Sequence, residues 1–229
     1  MNKDNPIDWI VDWARYHNIH HAAEAALIFD NGSTGYSRSE LERELIDKTN
    51  LSYVSIVCAD LPYGWSRNLK NGSWQTQYLQ SACLNLAREI FLAKANAVLS
   101  IDIDEFVEPL PKTNVFSLTN KSLFGQLVWK GTWAFCSVGS GPMPQKEHDL
   151  VSELARDSSG KFCTVPNRFL GKMEWLIHGH FGLFGLLTST KRVHHWHFRR
   201  TNTSWKGHGF GMSDFAKPSA ELVAALARL

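Results

Sequence analysis

Apolar positions along the first hundred residues alternate between a helical and an extended period. Trp9, Ile10, Trp13 and Tyr16 recur at helical spacing, with Asp4 or Asn5 placed to cap the helix and Pro6 suited to its first turn. Ala26-Leu27-Ile28-Phe29 predicts a short buried strand, and Asp30-Asn31-Gly32-Ser33 is a strong turn signal at its end. A second helix is predicted from Ser37 to Thr49, with Ser37 as N-cap, Glu40 at the capping-box position and Leu41 and Leu45 as its apolar stripe. Tyr53 to Ala59 predicts a second strand, and Asp60 to Gly72 is turn-rich. Ser73 to Ala95 predicts a long helix with Tyr78, Ala82, Leu86 and Ile90 on one face. The apolar run between Ala93 and Ile103 predicts a third strand, closed soon after by Pro109 and Pro111.

Helix, strand, helix, strand, helix, strand is the order of an α/β chain with a parallel sheet of the nucleotide-binding kind. Ligands of such sheets bind beyond the carboxyl ends of the strands. After Pro111 the pattern changes. Phe124 to Trp133 and Ala134 to Val138 read as aromatic-rich strands or a hairpin, Gly139 to Asp149 as a Gly/Pro loop, and Leu150 to Arg156 as a short helix. Lys191 to Phe198 carries clustered His and Trp, and Ser219 to Leu229 predicts a final Ala/Leu helix. With no internal repeat and no low-complexity linker, residues 1–229 read as one domain. Its front half, 1–111, is α/β, and its rear half, 112–229, is mixed and mostly β.

Composition narrows the classes. An apolar content of 44% and a charged content of 20% are those of an ordinary globular protein. A net charge of +2, with basic residues scattered apart from Lys191-Arg192 and Arg199-Arg200, gives no footprint for a nucleic-acid partner. Cys58, Cys83, Cys136 and Cys163 lie far apart without CxxC spacing, so free thiols in a reducing, cytoplasmic setting are expected, Cys58 as a buried one. No apolar segment approaches the roughly 18 residues of a membrane span, and Met1 to Asp8 is too polar for a signal peptide.

The chemistry concentrates in Ser100-Ile101-Asp102-Ile103-Asp104-Glu105-Phe106, where an acidic cluster ends an apolar strand. In an extended chain Asp102 and Asp104 share a face. Two adjacent carboxylates repel unless a cation or a proton intervenes, and hard oxygen ligands suit Mg²⁺ or Mn²⁺ with phosphate and water completing the shell. The second dense site is His194-His195-Trp196-His197, where His195 and His197 share one face of a strand. A structural zinc reading lacks companion Cys or His spacing. Trp175 and Trp196 read as core more readily than as sugar-stacking faces, as does Trp133; Arg199-Arg200 and Lys206 are phosphate contacts or solvated surface.

In order, Asp8-Trp9-Ile10, Tyr16-His17, Ile28-Phe29-Asp30-Asn31-Gly32-Ser33, Gln80, Asn85 and Ile101-Asp102-Ile103-Asp104-Glu105-Phe106 resemble the signature of glycosyltransferases with the GT-A fold. The resemblance is to the family 2 and family 92-like group of bacterial polysaccharide loci, and Trp133-Ala134-Phe135 and His194-His195-Trp196 extend it to about residue 206. It implies a GT-A-like sheet and transfer of a sugar from a nucleotide-sugar donor to a glycan or other hydroxyl acceptor. It implies Mn²⁺ or Mg²⁺ on the donor diphosphate, held by Asp102 and Asp104 with a late histidine, His195 or His194. Asp30, Asn31, Gln80 and Asp102 are implied at the donor pocket, and association with a membrane surface is among the implied partners. An inverting transfer needs a general base; Glu174, in a predicted strand, and Asp149, with Glu147 and Glu153 near the Gly/Pro loop, are the candidates. A GT-A sheet normally starts with a strand that ends near Lys3-Asp4-Asn5, so that first strand is expected to be missing here. The competing expectations are a metal-dependent phosphohydrolase and a non-catalytic nucleotide- or carbohydrate-binding remnant.

Overall fold

A computed structural model describes residues 1–62, 78–139, 141–154, 158–179, 182–201 and 216–229. The chain is mixed α/β, with open sheets and flanking helices. Helix α1 (Ile7–His21) is followed by β1 (Ala25–Asp30), α2 (Arg38–Lys48) and β2 (Tyr53–Cys58). The expected Ser37 cap is present: its side chain accepts from the Glu40 N–H, and Leu41 and Leu45 are buried. Helix α1 instead starts after Pro6, with no side-chain cap from Asp4 or Asn5. Helix α3 (Tyr78–Leu86) runs on into a single π turn, Ala87–Phe91.

Strands β1 and β2 pair in parallel, as the alternating pattern predicts. The third strand corrects that expectation. Strand β3 (Val98–Ser100) pairs antiparallel with β8 (Gly160–Thr164), which pairs antiparallel with β5 (Gln126–Lys130). Apolar periodicity marks a strand but not its partner, and here the partner comes from the rear half. A five-stranded sheet runs in the order β10 (Ala216–Pro218), β7 (Leu150–Ser152), β6 (Thr132–Phe135), β9 (His195–Phe198) and β4 (Glu105–Val107). Leu150–Ser152 is therefore a strand where a helix was expected, because it pairs on both sides. Strands β5 and β6 are not a hairpin; they belong to different sheets. The start of the chain also differs from expectation. Asn2 makes a one-residue parallel bridge to Asp30, its N–H donating to the Phe29 carbonyl at 2.8 Å and its carbonyl accepting from Asn31 at 2.8 Å.

Helix α1 joins the two halves. Its Ile10, Val11 and Ala14 pack with Ala26, Ile28, Leu41 and Leu45. Its Tyr16 stacks on Phe106 of β4 with ring centroids 4.2 Å apart, in a cluster with Trp196, Phe198 and Leu222 of α6 (Ala220–Leu226). Cys83, Cys136 and Cys163 are buried free thiols, but Cys58 is exposed at the end of β2. No helix among the described residues is long and apolar enough to cross a membrane.

The seam between two sheets as a candidate metal centre

The chain passes back and forth between the three-stranded and the five-stranded sheet. Two of these passages are short: residues 101–104, between β3 and β4, and Gly131, between β5 and β6. The acidic cluster lies on the first crossing. Asp102 and Asp104 thus occupy a turn rather than a continuous strand, and Glu105 opens β4. The register of β4 on β9 then sets the chemistry: Glu105 lies opposite His197, and Val107 opposite His195. Opposed side chains in an antiparallel pair share a face, so Glu105, His195 and His197 converge while Phe106, Trp196 and Phe198 point into the core.

His197 stands at the centre. Its Nε2 is 3.3 Å from Asp104 Oδ2, and its Nδ1 is 2.8 Å from Ser158 Oγ and 3.3 Å from Glu105 Oε1. Its ring stacks on Trp133, centroids 3.9 Å apart, and the Arg199 guanidinium lies 4.8 Å from the same indole. Burial pulls the imidazolium of His197 down, but Glu105 and Asp104 together outweigh it and hold the group above the ordinary histidine value.

Lys161, from β8 in the other sheet, reaches across the seam. Its ammonium pairs with the Asp102 carboxylate and lies 2.8 Å from Glu105 Oε2. Burial opposes its charge, and the two carboxylates overcome that and keep it protonated. Burial also pushes the Glu105 carboxyl up, against the pull of Lys161 and His197. Gln80 of α3 donates to Asp102 Oδ1 at 3.4 Å.

His195 is fully enclosed, its Nε2 3.7 Å from Glu105 Oε1. Burial, then the charges of His197 and Lys161, hold its pKa well below the ordinary value, so the ring is neutral. The ring fits only because residue 131 is glycine: a Cβ there would lie 2.3 Å from His195 Nε2. The same residue's carbonyl accepts from the Ser158 N–H at 3.1 Å, which places the hydroxyl that meets His197.

Glu105, His195 and His197 bring ligand atoms within 4.8 Å of one another. Glu105 and His195 have side chains 0% exposed, however, whereas Asp102 and Asp104 are each 22% exposed and His197 16%. The solvent-facing side of the group is therefore Asp104 with His197, beside Asp102. The histidine next to Asp104 is His197; His195, expected with His194 as the late histidine, lies deeper in the same group, and Asp102 is tied to Lys161. Three carboxylates face one ammonium and one imidazole at the seam. Oxygen and imidazole donors 3.3 Å apart suit a divalent cation with phosphate and water in its remaining positions, and contact of the other ring nitrogen with a hydroxyl and a carboxylate is how metal-binding histidines are oriented.

The remaining expected residues lie elsewhere. Asp30 is buried and accepts from Asn2 Nδ2 at 2.6 Å, Ser33 Oγ at 2.6 Å and the Ser33 N–H at 3.0 Å, so its carboxylate builds its own turn. Asn31 donates to the carbonyls of Ala59 and Leu61. Asn85 is backbone support, exchanging two hydrogen bonds with Trp175. Glu174 is exposed in a loop, not a strand, and the Asp149 carboxylate caps Ser137. Among the described residues no hydrogen bond or ion pair links either to the acidic cluster. Trp175 and Trp196 are core; Lys206 lies outside the described residues. Lys161 and Ser158 were not expected. A lone lysine in the run Lys161-Phe162-Cys163 was the available signal for the first; nothing local marks the second.

Comparison with protein-family models, with curated proteins and with solved structures finds no match.

Proposed function

We propose that the chain is a metal-dependent glycosyltransferase of GT-A type, moving a sugar from a nucleotide-sugar donor to a hydroxyl acceptor in surface polysaccharide or glycan synthesis. The observation that supports this most is the meeting of Asp104 and His197 at 3.3 Å, beyond the carboxyl end of β3 and beside Asp102. Asp104 and His197 would hold Mn²⁺ or Mg²⁺, which when bound neutralises charge developing on a departing nucleoside diphosphate. Ser158 and Glu105 fix the imidazole so that Nε2 faces Asp104. Lys161 relieves repulsion between Asp102 and Glu105 and keeps the turn in register. The Asp30 turn shapes the carboxyl end of β1, where the resemblance puts the nucleotide; its carboxylate acts by holding that turn.

A second reading is a non-catalytic nucleotide- or carbohydrate-binding protein. It is favoured by the commitment of Asp102 to Lys161 and of Asp30 to Asn2 and Ser33. Thermal-shift measurements with UDP, GDP, CDP and their sugars, each with and without Mn²⁺, test both. A nucleotide that stabilises the protein only when metal is present is the expected result, by linkage of binding to folding. No nucleotide-dependent shift with metal present contradicts the first reading and the nucleotide-binding form of the second. Binding without turnover of the matching nucleotide sugar selects the second.

A further inference from the structure

Helix α5 (Gly182–Thr188) turns its apolar side chains outward: Leu183 is 67% exposed, Leu186 74% and Leu187 49%. Phe169, 66% exposed, adds to the same surface, its ring 6.0 Å from that of Phe184. Core packing does not account for these side chains. The segment is nonetheless anchored at both ends. His178 Nδ1 lies 2.9 Å from the Gly160 carbonyl, and the Thr190 N–H donates to Val128 at 2.9 Å. Exposed basic side chains flank the apolar ones on both sides in sequence, Arg168 and Lys172 before the helix and Lys191 and Arg192 after it. Glu174 is the one carboxylate between residues 168 and 192.

From this we infer that α5 and Phe169 form a docking surface for an anionic lipid bilayer. Leucine and phenylalanine side chains enter the headgroup boundary, and the flanking lysines and arginines meet the lipid phosphates. Apolar side chains with a cationic border are what an in-plane membrane contact requires, and each basic residue near an anionic leaflet adds to the attraction. A second copy of the chain fits less well, because a symmetric contact would set the basic border against itself. Gly160 precedes Lys161, and Thr190 stands five residues before His195, so docking would hold the seam close to a membrane surface. The inference stands independently of the proposed reaction.

Sedimentation of the full chain with vesicles, in EDTA and without nucleotide, tests it. The vesicles are phosphatidylcholine alone or an equal mixture with phosphatidylglycerol. Binding to the mixed vesicles and much weaker binding to the neutral ones is expected. Lys191→Gln/Arg192→Gln should lower the partition coefficient on the order of thirtyfold, and Leu183→Ser/Leu186→Ser at least about tenfold. Both substitutions are at exposed positions, and the far-ultraviolet circular dichroism of both should match the parent. Failure to bind mixed vesicles, equal binding to both kinds, or binding unchanged in both variants overturns the proposal. So does concentration-dependent dimerisation lost in the leucine variant without any vesicle binding. None of these outcomes depends on the metal centre.

Discussion

Lys161 decides the electrostatics of the seam. Its side chain is 3% exposed and its ammonium serves two carboxylates, one of them, Glu105, wholly buried. Removing one partner of a buried ion pair leaves the other charge without compensation, which costs about 3–5 kcal/mol, whereas replacing both by neutral groups costs far less. Lys161→Met should therefore destabilise the fold by about that amount in denaturant unfolding. The double variant Lys161→Met/Glu105→Gln should recover most of the loss. A single variant within about 1 kcal/mol of the parent would mean that Glu105 is already neutral. Lys161 was legible in the sequence only as a misfit in an apolar strand; its partners sit more than fifty positions away, and periodicity says nothing about such distances.

At the scale of elements, α1 and β4 are clamped by two histidines. His17 lies with Nδ1 2.9 Å from the Trp13 carbonyl and accepts the Val107 N–H at Nε2, 3.4 Å away. His21 lies with Nε2 3.0 Å from the Val107 carbonyl and accepts the Val115 N–H at Nδ1, also at 3.4 Å. Each ring needs one bare nitrogen, so each must be neutral. Burial lowers His17 to about 3, with His21 adding to the shift, and burial lowers His21 to about 4. Both folded values lie below the ordinary 6.5, so the unfolded chain binds more protons across the interval between them. Stability is then complete above about pH 6.5 and falls as the pH drops towards 4, by about 1.4 kcal/mol per pH unit for each histidine once the unfolded form is protonated. Urea midpoints at a series of pH values check this; a midpoint that stays flat or rises between about pH 6.5 and 5 contradicts it. The helix itself was readable from Trp9, Ile10, Trp13 and Tyr16. The clamp was not, because Val107 is brought to α1 only by tertiary packing.

Across the whole molecule, the sequence exposed elements better than connections. The first two strands, their parallel pairing and the cap of α2 follow from local pattern and turn chemistry. The assembly of β3 with β8 and of β4 with β9 does not, since an apolar run specifies neither neighbour nor direction. That assembly creates the site. Asp102, Asp104 and the histidine run could be singled out from the chain, but choosing His197 over His195 needed the Glu105–His197 register and the gap left at Gly131. Calorimetric titration of Mn²⁺ into the parent, Asp104→Asn and His197→Gln proteins tests the resulting picture most directly. A single saturable site in the parent is expected, weakened on the order of tenfold or more in each variant with the far-ultraviolet circular dichroism unchanged. Equal Mn²⁺ affinity in all three proteins would contradict it.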